Sequence, residues 1–149
     1  MIWEYDLTYH LADLRMMPME TMVLDESQIT FNYQFDIDAE FIERYTKAKK
    51  ALGSDEVKIQ ALFNDEDEKG IYFTLGGKTS HDDKISFMAP APTFEVPSSE
   101  YQYNANYLFE IFSENKGAEG VGYFDENGIL KLEFKEDSIK ALYYLPPKN

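Results

Sequence analysis

The chain has 149 residues, about one domain, and 44% of them are hydrophobic, including 11 Tyr and 11 Phe. This composition argues against an intrinsically disordered chain. The 28 acidic residues outnumber the 14 basic ones, so the net charge is −14, and the chain should repel nucleic acid unless its basic residues share one face. Cysteine is absent, which excludes a disulfide scaffold, a cysteine-ligated zinc site and a cysteine nucleophile.

Targeting and membrane signals are also missing from the sequence. The first seven residues have neither the basic start nor the apolar run of a secretory signal peptide. No apolar stretch approaches the roughly 18 residues that a membrane-spanning helix needs. The sequence therefore predicts an intracellular, soluble protein.

The first third of the chain is predicted to hold a strand, a connector, a second strand and a helix. Apolar and polar residues alternate over residues 2–10, which predicts a strand. Residues 11–27 have no sustained period and contain Pro18, which favours an extended connector. Alternation resumes over residues 29–35 and predicts the second strand. Asp38 then caps a helix that runs to about Leu52 and stops at Gly53.

The middle of the chain is predicted to form three short strands. Residues 57–63 form the first, and an acidic turn at 65–70 leads into the second at 71–75. Residues 76–83 form a loop and 84–88 the third strand. The proline-containing segment 89–92 is a stiff connector.

The same order of elements then repeats. Residues 101–103 form a strand, Asn104 caps a short helix over 105–116, and strands follow at 121–123, 129–134 and 139–145. An acidic turn followed by Gly-Ile occurs in both copies, at residues 70–71 and 128–129. Two copies, at about 29–88 and 99–145, predict an α+β fold with both helices on one face of antiparallel sheets.

The charge is unevenly distributed between these elements. The predicted first helix, residues 38–52, has a net charge of +1, and the second, residues 105–116, has −1. The excess acid therefore lies in strands, turns and connectors. Lys47 and Lys50 lie away from the apolar stripe of the first helix and are suited to contact phosphates without reading sequence. An ordinary solvated helix face accounts for the same pattern.

Several short motifs occur along the chain, and their order and spacing together are more specific than any one motif alone. The motifs are Glu4-Tyr5-Asp6-Leu7, Leu14-Arg15-Met16-Met17-Pro18, Glu40-Phe41, Tyr107-Leu108 and Tyr143-Tyr144-Leu145-Pro146-Pro147-Lys148. Over roughly residues 3–148 the chain resembles DNA polymerase sliding clamps of the proliferating-cell-nuclear-antigen type, which commonly close with Tyr-Tyr-Leu-Ala-Pro-Lys. Phage clamps share this architecture more loosely, so a viral origin stays open, with a location in the cytoplasm or nucleus of a host cell.

The resemblance implies a ring of six such domains around duplex DNA, with helices lining the hole and no catalysis by the clamp. It implies a processivity scaffold that binds a DNA polymerase, a clamp loader and duplex DNA. The DNA-facing helix residues would be Arg44, Lys47, Lys49 and Lys50. Polymerase and loader would insert short aromatic-anchored peptides into a pocket formed by Met16, Met17, Pro18, Ile129, Tyr144 and Pro147. A Met-lined surface suits such promiscuous binding. No cofactor and no metal is implied.

The resemblance also implies a domain division. Residues 1–27 would be the last strand of a preceding clamp domain plus the interdomain connector, and residues 28–149 one clamp domain. Either the chain is a fragment of a two-domain clamp, or it is a one-domain protein that assembles more copies. Glu43, Thr46, Asn106 and Ser113 stand where the family often has basic residues, so DNA contact through this domain should be weaker than is typical.

The candidate metal-binding and catalytic motifs in the sequence each lack a required residue or arrangement. An EF-hand loop starting at Asp65 would place Gly76 where a bidentate Glu is required. His81 and its neighbours in sequence lack the arrangement of a catalytic triad. Gly77-Lys78-Thr79 has the end of a phosphate loop, but Tyr72 stands where its first glycine belongs.

Two other classes of function stay open from the sequence. The net charge of −14 is typical of an acidic DNA mimic that occupies a nucleic-acid-binding enzyme. A small enzyme with carboxylate chemistry is the other alternative, although no pair of carboxylates stands out to support it. The near-neutral helices, set apart from the acidic remainder, favour the clamp.

Overall fold

The computed structural model of the chain describes residues 29–77 and 83–148. The strand predicted at 2–10, the connector at 11–27 and the domain boundary between them lie outside the described residues. So do Met16, Met17, Pro18 and His81. Within the described part of the chain, no helix is long and apolar enough to cross a membrane.

Eight strands and two helices make up the described structure. In chain order they are β1 (Tyr33–Ile37), α1 (Ala39–Leu52), β2 (Glu56–Phe63), β3 (Lys69–Gly76), β4 (Lys84–Met88), β5 (Tyr101–Asn104), α2 (Ala105–Glu114), β6 (Glu119–Phe124), β7 (Leu130–Glu136) and β8 (Ile139–Leu145). The predicted repeat of strand, helix and three strands is confirmed. The first strand begins later than predicted, because its pairing with β6 starts only at Tyr33, opposite Phe124.

The strands form two four-stranded antiparallel sheets, ordered β1-β6-β7-β8 and β4-β3-β2-β5. The first strand of each repeat therefore lies in the sheet of the other repeat. Each helix leaves a strand of one sheet and leads to a strand of the other, so α1 and α2 pack side by side. The ring of Phe112 on α2 meets Tyr45 and Phe41 on α1 with centroids 5.0 and 5.8 Å apart. The predicted α+β class, with both helices on one sheet face, is confirmed.

The helix ends follow the capping residues that the sequence predicted. The carboxylate of Asp38 accepts a hydrogen bond from the Phe41 amide at 2.8 Å, which satisfies a free donor of the first turn of α1. Gly53 ends α1 with φ of 60°, a left-handed conformation that favours glycine. The Asn104 side chain accepts from the Asn106 and Tyr107 amides and caps α2.

Two buried tyrosines connect the elements through their hydroxyl groups. Tyr45 on α1 donates to the Ala105 carbonyl at 2.7 Å, and Tyr103 on β5 donates to the Gly128 carbonyl at 2.7 Å. Burial raises the pKa of both phenols well above the ordinary value, because an ionised ring would lose its solvation. Each phenolate would also be unable to donate its hydrogen bond.

These tyrosines predict that the fold weakens at alkaline pH. In the unfolded chain a tyrosine ionises near pH 10, whereas the folded state keeps both protons. Above pH 10 the unfolded state therefore binds fewer protons, and the free energy of unfolding should fall by about 1.4 kcal/mol per pH unit for each tyrosine. Urea unfolding between pH 8 and 11 measures this slope. Tyr45→Phe should remove its share, and an unchanged slope in that variant would contradict the assignment.

Candidate functional site

The basic residues predicted to face DNA lie on α1, on the side away from the core. Phe41, Ile42, Tyr45 and Ala48 of this helix are buried, which leaves Arg44, Lys47 and Lys50 exposed and Lys49 half-buried. Ile42 was missing from the predicted apolar stripe, but it packs one residue beside it. The wider buried face restricts the basic residues to a narrower outer surface than the sequence indicated.

Two of these basic residues have a carboxylate one turn earlier on the same helix. Arg44 Nη2 lies 3.4 Å from Glu40 Oε2, and Lys47 Nζ lies 3.1 Å from Glu43 Oε1. All four side chains are more than half exposed. The outer face of α1 therefore has alternating charge, and its local field is weaker than four basic residues would produce alone.

A groove of about 520 Å³ runs between α1 and the end of α2. It brings Lys116, which follows α2, to the same surface as Lys47 and Lys50, and Glu43 also lines it. At this groove Lys47 forms an ion pair with Glu43. Within the described part of the chain, neither Lys50 nor Lys116 has a carboxylate at salt-bridge distance. The hydroxyl oxygen of Thr46 is buried at the groove and has no hydrogen-bond partner among the described residues.

Lys116 lines this groove but was not among the predicted DNA-facing residues. Its only signal in the sequence was its place at the end of the second amphipathic segment. The predicted repeat placed both helices on one face but did not specify which ends would meet. Arg44 and Lys49 do not line this groove, so the predicted DNA-facing set is divided between the groove and the neighbouring surface of α1.

Part of the predicted partner pocket lies at one end of the β7–β8 ladder. Leu130 pairs with Leu145, so Ile129 and Pro147 lie just beyond the same end of these strands. Tyr144 is 7% exposed, and the other two are half-buried. The remaining three predicted pocket residues lie outside the described residues.

Aromatic side chains continue this surface across the outer face of the same sheet. Tyr144 is opposite Lys131, which is opposite Tyr123 on β6. The Lys131 Nζ lies 5.2 Å from the Tyr123 ring centroid and 5.4 Å from that of Phe31. A cation between two rings is attracted by both π-faces. The outer face is therefore partly apolar and aromatic despite the acidity of the chain.

The C-terminal segment connects β8 of one sheet to β5 of the other. The Lys148 amide donates to the Gln102 carbonyl of β5 at 2.6 Å, and Lys148 Nζ lies 3.5 Å from Glu56 Oε2 on β2. The backbone hydrogen bond pairs Lys148 with the outer edge of β5 at Gln102. On the other sheet, β1 is paired in the same way, because the Gln34 amide donates to the Thr93 carbonyl at 3.0 Å.

β4 is an edge strand, and some of its backbone hydrogen-bonding groups point away from β3. The Ala89 amide, just beyond β4, donates to the Ile71 carbonyl of β3. Bonded positions alternate along an antiparallel pair, so the Ser86 amide points away from β3. Among residues 29–77 and 83–148, no strand pairs with this outer side of β4. Such an edge is a template for another strand.

The acidic turns have structural hydrogen bonds rather than the geometry of a metal site. The Asn64 side chain accepts from the Glu66 and Glu68 amides and shapes the β2–β3 turn. The buried carboxylate of Asp125 accepts from the Asn127 and Ile129 amides in the β6–β7 turn. In the part of the chain that the structure covers, no three His, Cys, Asp or Glu residues are grouped to hold a metal ion.

Comparison with known proteins gives one kind of match, to solved structures. The chain is similar to a β clamp from H. pylori, solved in complex with diflunisal, with a TM-score of 0.60 and 16% sequence identity. The match covers 89% of this chain and 34% of the clamp chain, and 83 chains of solved structures match in all. No protein-family model and no curated protein matches. At this identity the likeness establishes the fold: the chain has a clamp-like fold and spans about a third of the solved clamp.

Proposed function

We propose that this protein is a DNA sliding clamp, a ring-forming scaffold that encircles duplex DNA and holds a polymerase on it. The observation that carries the proposal is the position of the two helices. They lie side by side on one face of the two sheets, and the groove between them collects Lys47, Lys50 and Lys116. A chain of net charge −14 that gathers cations on its helix face is suited to duplex DNA on that face only.

Contacts to the duplex are to phosphates and carry no sequence preference. Lys47, Lys50 and Lys116 contact phosphates from the groove, and Arg44 and Lys49 contribute from the adjoining surface of α1. The acidic sheets face outward, away from the duplex. The protein performs no catalysis in this role and needs no cofactor.

Polymerase and clamp loader bind the opposite, outer side through short peptides with aromatic anchors. Ile129, Tyr144 and Pro147 belong to this pocket together with Met16, Met17 and Pro18, which lie outside the described residues. The support is the shared location of the first three at the end of the β7–β8 ladder, beside the aromatic outer face. Apolar and methionine side chains can adapt to different anchors.

Ring closure requires that copies join at sheet edges. The outward side of β4 provides one such edge, and a strand of the next copy provides the other. Because two different surfaces meet, the contact is heterologous, and it closes into a ring when the rotation between copies allows. The same domain repeated six times would give the ring that the resemblance implies.

Light scattering of the full chain at several concentrations tests the proposal. A ring predicts a discrete species near six times the monomer mass of 17.3 kDa, present over a range of concentrations. A monomer at every concentration would contradict self-assembly. It would leave two alternatives, a fragment of a two-domain clamp and the acidic DNA mimic. Binding of an aromatic-anchored peptide at Tyr144 would favour the fragment, whereas competition with DNA for a basic partner protein would favour the mimic.

A further inference from the structure

The two carboxylates of α1 lie where they can act on its basic residues. Glu40 precedes Arg44 by one turn and Glu43 precedes Lys47 by one turn, with ion-pair distances of 3.4 and 3.1 Å. Exposed ion pairs of this kind are weak, because water and salt screen them and two flexible side chains must be ordered. They can therefore be opened by a phosphate that approaches the same cation.

Opening such an ion pair weakens phosphate binding for as long as the phosphate stays bound. The displaced carboxylate stays on the same helix, within a few ångströms of the bound phosphate, and repels it. A lysine with no carboxylate partner has no such cost. Lys50 and Lys116 are of that second kind within the described residues, whereas Arg44 and Lys47 are of the first. The helix surface therefore offers fewer effective cations than its composition suggests.

We propose that Glu40 and Glu43 compete with DNA phosphates for Arg44 and Lys47 and so keep the hold of this domain on duplex DNA weak. The inference rests on the proposed function, because it assigns these carboxylates a role in the same DNA-facing surface. Glu43 also lines the groove with Lys47, Lys50 and Lys116, so it acts at the centre of that surface. A ring that moves along DNA benefits, since every phosphate contact must break for it to advance.

The double variant Glu40→Gln plus Glu43→Gln tests this role. Glutamine keeps the shape and helix propensity of the side chain but removes its charge. The full-length variant and the unmodified chain would be titrated against a labelled 30-base-pair linear duplex by fluorescence anisotropy, from 50 to 200 mM salt. The control variant is Glu66→Gln plus Glu95→Gln. It also removes two negative charges, but from the β2–β3 turn and from the connector after β4. Circular dichroism confirms that each variant remains folded.

We expect the α1 variant to bind more tightly at 50 mM salt and to lose this advantage as salt rises. Each cation freed for a phosphate steepens the plot of log affinity against log salt by about 0.9. If two cations are freed, the ratio of the variant's affinity to that of the unmodified chain should fall about tenfold between 50 and 200 mM salt. The control should keep the slope of the unmodified chain.

The outcomes separate this inference from the function on which it rests. Lys47→Ala plus Lys50→Ala is measured in parallel as the test of DNA contact itself. If that variant binds less tightly but the α1 glutamine variant matches its control in affinity and slope, the competition is overturned and the DNA contact stands. If neither the unmodified chain nor the glutamine variant binds the duplex at 50 mM salt, the competition for phosphates is overturned, whereas the encircling ring is tested separately by retention on circular DNA. Binding by the glutamine variant alone would support the competition most strongly.

Discussion

Gly122→Ala is expected to destabilise the domain by about 3 kcal/mol, the upper end of the usual range for overpacking a core. Gly122 lies in the middle of β6, opposite Phe35 on β1. A methyl group at this position would overlap the Phe35 ring, which lies directly over the glycine. That ring is fully buried and in contact with Phe41 and Phe73, so it has no open space to enter. Either β1 moves away from β6 or the aromatic core repacks.

Urea unfolding of the variant and of Gly117→Ala measures this effect. Gly117 follows α2 at an exposed turn, and a methyl group there would lie 3.1 Å from the carboxylate of Glu136, a flexible exposed side chain. The control is expected to change the free energy of unfolding by less than about 0.5 kcal/mol. Equal stability of the two variants would contradict the packing of Phe35 over β6.

Ser86→Pro is expected to abolish self-association without unfolding the domain. The Ser86 amide points away from β3, so proline removes a hydrogen-bond donor from the outer edge and leaves the β3–β4 ladder intact. If β4 receives a strand of the next copy, the proline removes one donor from that new ladder and its ring obstructs the approach of the strand. Light scattering should then show a monomer at concentrations where the unmodified chain is a ring.

Ser86→Ala is the matched control for this substitution. The Ser86 hydroxyl lies 2.8 Å from the Thr74 hydroxyl on β3, and alanine removes this contact while it keeps the backbone donor. The alanine variant should assemble like the unmodified chain. Assembly by the proline variant would show that the β4 edge is not the junction. Failure of the alanine variant to assemble would contradict the assignment of the effect to the backbone donor.

Local patterns in the sequence were sufficient for most of the element order. The caps Asp38 and Asn104 were predicted because a short polar side chain followed by an apolar stripe has a local physical meaning. The strands β4 and β8 were predicted at their observed bounds, since turn residues or prolines flank them. These signals depend on neighbours in sequence and need no knowledge of the tertiary structure.

Features that depend on distant contacts were not predictable in this way. Gly120 and Gly122 form the core side of β6, although Val121 and Tyr123 are the residues that alternation marks as apolar. The glycines are buried because rings from β1 and β7 fill the space above them. The exchange of first strands between sheets and the approach of Lys116 to Lys47 depend on helix packing in the same way.

Retention on circular but not on linear DNA tests the encircling ring most directly. The full chain would be assembled with a nicked circular plasmid at high protein concentration, and DNA-bound protein separated by gel filtration at about 150 mM salt. Half of the sample would first be linearised with a restriction enzyme. A ring around the duplex predicts protein with the circular DNA and its loss after linearisation, since the ring slides off free ends. Equal retention on both forms, or no retention on the circular form, would contradict a sliding clamp.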